Sequence, residues 1–232
     1  YQMNIELAAH DIRFSFTDLF KFNTIQSLLI NAQQRVRSHE FIKNLSHRDK
    51  NNEKLIFIHP AGEGGSSVYF DLANQLKNDY NSIGIDNYNM LYEERIADIH
   101  QIAQTYLDAL PAFQTNEVIN LYGWSLGGKI ALEIGYILEQ QNYKNINIYI
   151  LDTLIKDDYI ERLSDEISDE EYEQKVRAFL QSDGYKEDYI IKRLKTSKAQ
   201  NNIMKQPVSG ILQHSKVILY KALHPNPDLD NE

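Results

Sequence analysis

Five residues, Gly123-Trp124-Ser125-Leu126-Gly127, constrain this chain more than any other stretch. They follow an apolar run, Val118-Ile119-Asn120-Leu121. They open a helical pattern continued by Ile130, Ile134, Ile137 and Leu138. A G-x-S-x-G sequence between a strand and a helix predicts a turn so sharp that the serine hydroxyl projects above the sheet. The flanking glycines are needed because a Cβ at either position would collide with the neighbouring strand or helix. Ser125 is therefore the candidate nucleophile, and a serine hydroxyl in that role needs an adjacent base and a third group to orient the base. The alternative is a tight-turn serine with no chemistry, and the rest of the chain decides between the two.

The surrounding pattern alternates. Leu55-Ile56-Phe57-Ile58 is a short unbroken apolar run, as expected for a parallel strand covered on both faces. Tyr69, Leu72, Ala73 and Leu76 then keep helical spacing. Ile83-Gly84-Ile85 reads as a weak second strand. Ile96, Ile99, Ala103, Tyr106, Leu107 and Leu110 mark an amphipathic helix, with Pro111 beyond it. After the serine and its helix comes the strand Ile146–Leu151, with Asp152 at its end, and Lys216–Ala222 reads as one more strand. This order predicts an α/β fold with a doubly wound, mostly parallel sheet. Ligands in such sheets bind at the carboxyl ends of the strands, where His59, Ser125 and Asp152 all fall. Residues 157–213 break the alternation with acidic and helical stretches, and are expected to form a helical lid. Residues 1–40 read as a separate helical segment too short for a core of its own. Residues 41–53 read as a polar linker or surface loop.

Asp152 stands one strand along from Ser125 and is the candidate orienting acid, with Asp86 a weaker competitor and a turn-capping role the bland alternative. The loop His59-Pro60-Ala61-Gly62-Glu63-Gly64-Gly65 is the candidate second half of an oxyanion hole. Gly62 or Ala61 would supply one backbone N–H and Leu126 the other. The loop lacks the G-K-[ST] ending of a phosphate-binding loop. His59 precedes the serine and is expected to be structural. The general base is the gap. His214 precedes a strand and lies at the wrong end of the sheet. His10, His39, His47 and His100 suit solvated or capping roles. His224 follows a strand on the correct side and is the remaining candidate.

The net charge of −9 argues against nucleic acid or anionic lipid as partners. No apolar run approaches the roughly 20 residues of a membrane helix. With no cysteine there is no disulfide, thiolate metal site or cysteine nucleophile, which is compatible with the cytoplasm. No metal site is expected.

Phe57-Ile58-His59-Pro60-Ala61-Gly62, Tyr122-Gly123-Trp124-Ser125-Leu126-Gly127-Gly128 and Leu151-Asp152-Thr153, with a helical insertion following, resemble the thioesterase domains that end nonribosomal peptide and polyketide synthetases. The resemblance runs from about Lys54 to Ala222. It implies an α/β-hydrolase fold over residues 54–232. It implies that Ser125 takes an acyl or peptidyl chain from a carrier protein's phosphopantetheine arm, with Asp152 as the acid. Water or an internal nucleophile would then release an acid or a macrocycle. No bound cofactor is implied; the partners would be a carrier domain and a small-molecule or peptide thioester. Ile5-Glu6-Leu7 and Asp18-Leu19-Phe20-Lys21-Phe22-Asn23-Thr24-Ile25 resemble the end of a peptidyl carrier domain. The family's catalytic histidine follows a further strand, near a Gly-x-His sequence that these residues do not contain. The sequence therefore reads as truncated before the last strand and helix, with the histidine expected beyond Glu232. A stand-alone editing thioesterase and a catalytically incomplete, carrier-docking domain are the alternatives.

Overall fold

A computed structural model describes residues 40–47, 53–62, 65–114, 116–153 and 169–221, together with Thr24 and Gln26. Six strands form one sheet: β1 (Ile42–Ser46), β2 (Glu53–Ile58), β3 (Tyr80–Ile85), β4 (Ile119–Trp124), β5 (Ile146–Leu151) and β6 (Lys216–Tyr220). Their spatial order is β1-β3-β2-β4-β5-β6, with β1 antiparallel to β3 and every other pair parallel. The helices are α1 (Phe70–Gln75), α2 (Tyr88–Leu91), α3 (Ile99–Ala109), α4 (Leu126–Gln140), α5 (Asp169–Ser182) and α6 (Glu187–Lys205). A 3-10 turn, Gly65–Tyr69, precedes α1.

Side chains alternate across the sheet and meet helices on both sides. Ile56 and Ile58 of β2, Ile119 and Leu121 of β4, and Ile148 and Ile150 of β5 pack against α3 and α4. Leu55, Phe57, Tyr122 and Tyr149 face the other way, towards Tyr69 and α1. Continuous apolar runs in β2 and β4 follow from this double burial. Helix α3 begins where Asp98 accepts the N–H of Gln101 at 2.7 Å, and buries Ile99, Ile102, Ala103, Tyr106 and Leu107, one stripe at helical spacing. Each fully buried aliphatic residue contributes about 1.5–3 kcal/mol. The face of α1 covers less: a groove of about 430 Å³ opens beside Leu72 and Leu76, floored by Tyr122, Tyr149 and Tyr220. Among the described residues, no helix is long and apolar enough to cross a membrane.

The stretch expected to be a linker, residues 41–53, is corrected in its first half. Ile42–Ser46 is a strand, paired Ile42↔Ile85, Lys43↔Gly84 and Asn44↔Ile83. Phe41 is buried edge-on against Tyr88, ring centroids 5.7 Å apart. Lys43 and Asn44 disguised the strand. It is the sheet's antiparallel edge, where polar side chains are tolerated, and Lys43 is itself buried with its ammonium donating to Glu40 O. Residues 48–52 lie outside the described residues, as do 1–23, 157–168 of the expected lid, and His224.

The described part of the insertion is a helix pair. Leu180 of α5 and Tyr189, Ile190 and Leu194 of α6 form a small core with Met90 of α2. Beyond α6 the chain returns to β6 along α4. The buried carboxylate of Glu133 accepts Ser209 N–H at 2.8 Å, and Glu139 accepts the N–H groups of Gln213, His214 and Ser215 at 2.7, 2.9 and 2.7 Å. Partial burial opposes ionisation of Glu139, but the Ser215 hydroxyl, donating at 2.6 Å, and these three N–H groups together outweigh it and hold the carboxylate below its ordinary range.

Candidate active site

The turn at Ser125 has the shape its glycines predict. Ser125 sits at φ 52°, ψ −118°, between β4 and α4. A non-glycine residue there stores about 1–3 kcal/mol of backbone strain. A Cβ on Gly123 would come within 2.2 Å of the Gly127 carbonyl, and one on Gly127 within 2.3 Å of Ile58 O. Neither backbone can yield, so both positions must be glycine. The strained serine is held from the next strand: its N–H donates to Leu151 O at 3.0 Å.

Asp152 follows Leu151 directly. It is exposed at φ 43°, and its N–H donates to Tyr220 O at 2.9 Å. Because β5 adjoins β4 in register (Trp124↔Leu151), Ser125 and Asp152 stand at the carboxyl ends of neighbouring strands. Asp86 ends β3, which β2 separates from β4. Its carboxylate accepts Ser66 N–H at 2.8 Å and Ser66 Oγ–H at 2.6 Å, an anchor for the 3-10 turn.

The loop after β2 comes to the same end of the sheet. Gly62, at φ 99°, donates its N–H to Gln200 Oε1 of α6 at 3.4 Å. Ala61 is exposed. Leu126 and Gly127 carry the first N–H groups of α4, ahead of the first bond back to Ser125 O, made by Gly128 N–H at 3.0 Å. Such leading N–H groups, with the helix dipole behind them, favour a developing oxyanion.

His59 is fully committed elsewhere. Pro60 O can only accept, so Nδ1 at 2.7 Å carries the proton; Nε2 then accepts from Tyr106 O–H, also at 2.7 Å. Burial lowers its pKa to about 4, against a smaller opposing effect of the Pro60 bond. His214 lies at the entry to β6, at the opposite end of the strands from Ser125. His100 bonds Glu133 Oε1 at 2.7 Å on α3, and His47 is exposed after β1. Of the described histidines, His59 alone stands at the carboxyl ends of the parallel strands.

Two supports were not legible beforehand. Tyr69 O–H donates to Ile58 O at 2.9 Å and accepts Trp124 N–H at 3.0 Å, stitching β2 to the residue before the serine. Burial pushes its phenol well above the ordinary range. Thr153 Oγ1 lies 3.0 Å from Leu151 O and 3.3 Å from Ser125 O, spanning the two strand ends.

Comparison with known proteins identifies the fold and the family. The sequence profile of the Thioesterase domain family matches residues 53–192. Over 98 residues the chain is 31% identical to the N-(5-amino-5-carboxypentanoyl)-L-cysteinyl-D-valine synthase of Penicillium rubens, and over 101 residues 27% identical to that of Amycolatopsis lactamdurans. These matches cover 42% and 43% of this chain and 3% of either relative. Among solved structures, the NocB thioesterase domain in covalent complex with a fluorophosphonate nocardicin G analog matches with TM-score 0.52 and 20% identity, covering 67% of each chain. The type II thioesterase BorB matches with TM-score 0.56 and 13% identity, covering 81% of this chain and 91% of its own. The four-domain nonribosomal peptide synthetase AB3403 matches with TM-score 0.58 and 18% identity over 90% of this chain and 18% of its own. At these identities the structural matches establish the α/β-hydrolase fold, and the profile match establishes the family. The chain belongs to the thioesterase domain family.

Proposed function

We propose that this chain releases an acyl or peptidyl group from the phosphopantetheine thioester of a carrier protein, through an acyl-enzyme on Ser125. The observation that carries the reading is the strained Ser125, fixed by Leu151 O beside Asp152 and above the N-terminus of α4. Ser125 Oγ attacks the thioester carbonyl as a base takes its proton. The oxyanion is met by the N–H groups of Leu126 and Gly62, with Ala61 the alternative to Gly62. The pantetheine thiol leaves with a proton. Water, or a nucleophile within the acyl chain, then attacks the acyl-serine and frees Ser125. Asp152 orients the imidazole that serves as base. His224 is the candidate base within these residues. The family match and the synthetase relatives support a carrier-bound substrate. The likeness of residues 1–40 to a carrier terminus supports a carrier domain joined to the thioesterase, and the cysteine-free composition suits a cytoplasmic setting.

A fluorophosphonate probe and an acyl-pantetheine substrate test this directly. Labelling and turnover should vanish in Ser125→Ala, and labelling lost in His224→Ala would identify the base. Equal background rates in wild type and Ser125→Ala would leave a carrier-docking domain instead. A second reading, a separate editing enzyme, is favoured by the coverage of the type II enzyme BorB. Faster hydrolysis of short acetyl than of long peptidyl carriers would select it.

A further inference from the structure

We propose that Gln200 is a third oxyanion-binding group, which in the resting protein blocks the donor it later joins. The inference rests on Gly62 N–H being an oxyanion donor, as proposed above.

Gln200 lies on α6 and is 4% exposed. Its Oε1 accepts Gly62 N–H at 3.4 Å. The partner decides the amide's orientation, since an N–H donor must meet the oxygen and not the NH2. Nε2 is then buried with no hydrogen-bond partner among the described residues. Where a native protein leaves a buried donor without a protein acceptor, strain, a bound water or a catalytic role accounts for it, and the position of Gln200 against Gly62 points to the last. The amide thus places an oxygen on the N–H that a thioester oxygen needs, and keeps two further donors idle beside it.

A thioester oxygen that takes Gly62 N–H in a short, linear bond displaces Oε1. The helix is not free to move aside. On one side of Gln200, Thr196 Oγ1 donates to Asn89 O at 2.7 Å. On the other, Lys129 donates to Met204 O, and Gln206 takes Ile99 N–H at 2.8 Å while donating to Ala97 O at 2.7 Å. Ile203 between them is in the main core. With α6 bonded on both sides, the soft coordinates are the side-chain torsions of Gln200 itself. Rotation withdraws Oε1 and brings the idle Nε2–H towards the incoming oxygen. A primary amide carries both functions on one hinge. Glutamate at neutral pH only accepts, and methionine does neither.

The test uses the intact natural protein carrying Gln200→Met, Gln200→Glu or Gln200→Ala. The readouts are the fluorophosphonate labelling rate of Ser125, kcat and KM for acetyl-pantetheine, and Tm. Gln200→Met and Gln200→Ala are expected to label and turn over about 100- to 1,000-fold more slowly, on the scale of losing an oxyanion donor, with KM nearly unchanged. Gln200→Met should keep or raise Tm, because an unpaired buried donor is gone. Measured against wild type at the same pH, Gln200→Glu should be slowest at pH 8 and partly recover at pH 5, where a protonated carboxyl can donate. If Gln200→Met and Gln200→Ala label as fast as wild type, or faster, while Ser125→Ala does not label, the inference is overturned and the acyl-transfer reading stands. If wild type labels no faster than Ser125→Ala, both are overturned.

Discussion

The N–H of Ser125 and the carbonyl of Leu151 are joined at 3.0 Å, and Asp152 is the next residue after that carbonyl. The strand carrying the candidate acid therefore also holds the candidate nucleophile in its strained conformation. Position and strain share one bond, so variants near the turn should separate chemistry from stability.

Ser125→Gly and Ser125→Ala should both abolish acyl transfer, yet differ in stability. Alanine keeps the cost of φ 52°, while glycine occupies that region freely. Ser125→Gly is expected to be more stable than Ser125→Ala by about 1 kcal/mol, the low end of the strain range. Urea unfolding of the two variants measures the difference. Equal midpoints and slopes would mean that the turn is not strained.

Gly127→Ala should damage the fold as well as the site. Its Cβ would stand 2.3 Å from Ile58 O and 2.7 Å from His59 O, both backbone atoms. Overpacking of this kind costs about 1–3 kcal/mol or more. For a domain of this size that lowers Tm by about 2–4 °C per kcal/mol. Thermal unfolding by circular dichroism reads it.

Thr153→Val removes the hydroxyl between Leu151 O and Ser125 O while keeping shape. Losing one such bond costs about 0.5–1.5 kcal/mol. If the hydroxyl also aligns the strand ends, fluorophosphonate labelling of Ser125 should slow beyond what the small stability loss explains. Unchanged labelling would restrict Thr153 to stability.

His59 makes folding pH-dependent. In the unfolded chain the imidazole takes a proton near pH 6.5; in the folded protein it does so only near 4. The unfolded state thus binds more protons between those values. Stability is complete above pH 6.5 and falls as pH drops towards 4, by up to about 3 kcal/mol from this group. Chemical denaturation at pH 7 and 4.5 should show a larger drop in wild type than in His59→Gln.

Much of this arrangement was readable from local pattern. Gly123, Ser125 and Gly127 form a steric unit within one turn, so their spacing carries their purpose. The strand ends of β4 and β5 followed from apolar runs, which brought Asp152 beside Ser125 and left Asp86 a strand too far. Other features depend on distant residues and leave no local trace. Ile42–Ser46 reads as polar because an edge strand needs few apolar side chains, and β3 supplies its partner. Tyr69 looks like one more helix-face aromatic until its hydroxyl is seen between Ile58 and Trp124. Gln200 sits in a helix rich in Lys and Asn, and only the packing of α6 brings it to Gly62.

The bonds along α6 give the insertion two unlike mechanical parts. From Thr196 to Gln206 the helix is a beam bolted to the domain beneath. Helix α5 is a hanging panel: it meets α6 through Leu180 and the Arg177–Glu187 ion pair, and leaves Phe179 62% exposed. A fixed beam cannot widen for a bulkier guest. Movement within the insertion is therefore expected at the seam between α5 and α6, and residue exchanges on the α5 panel should leave the turn at Ser125 undisturbed.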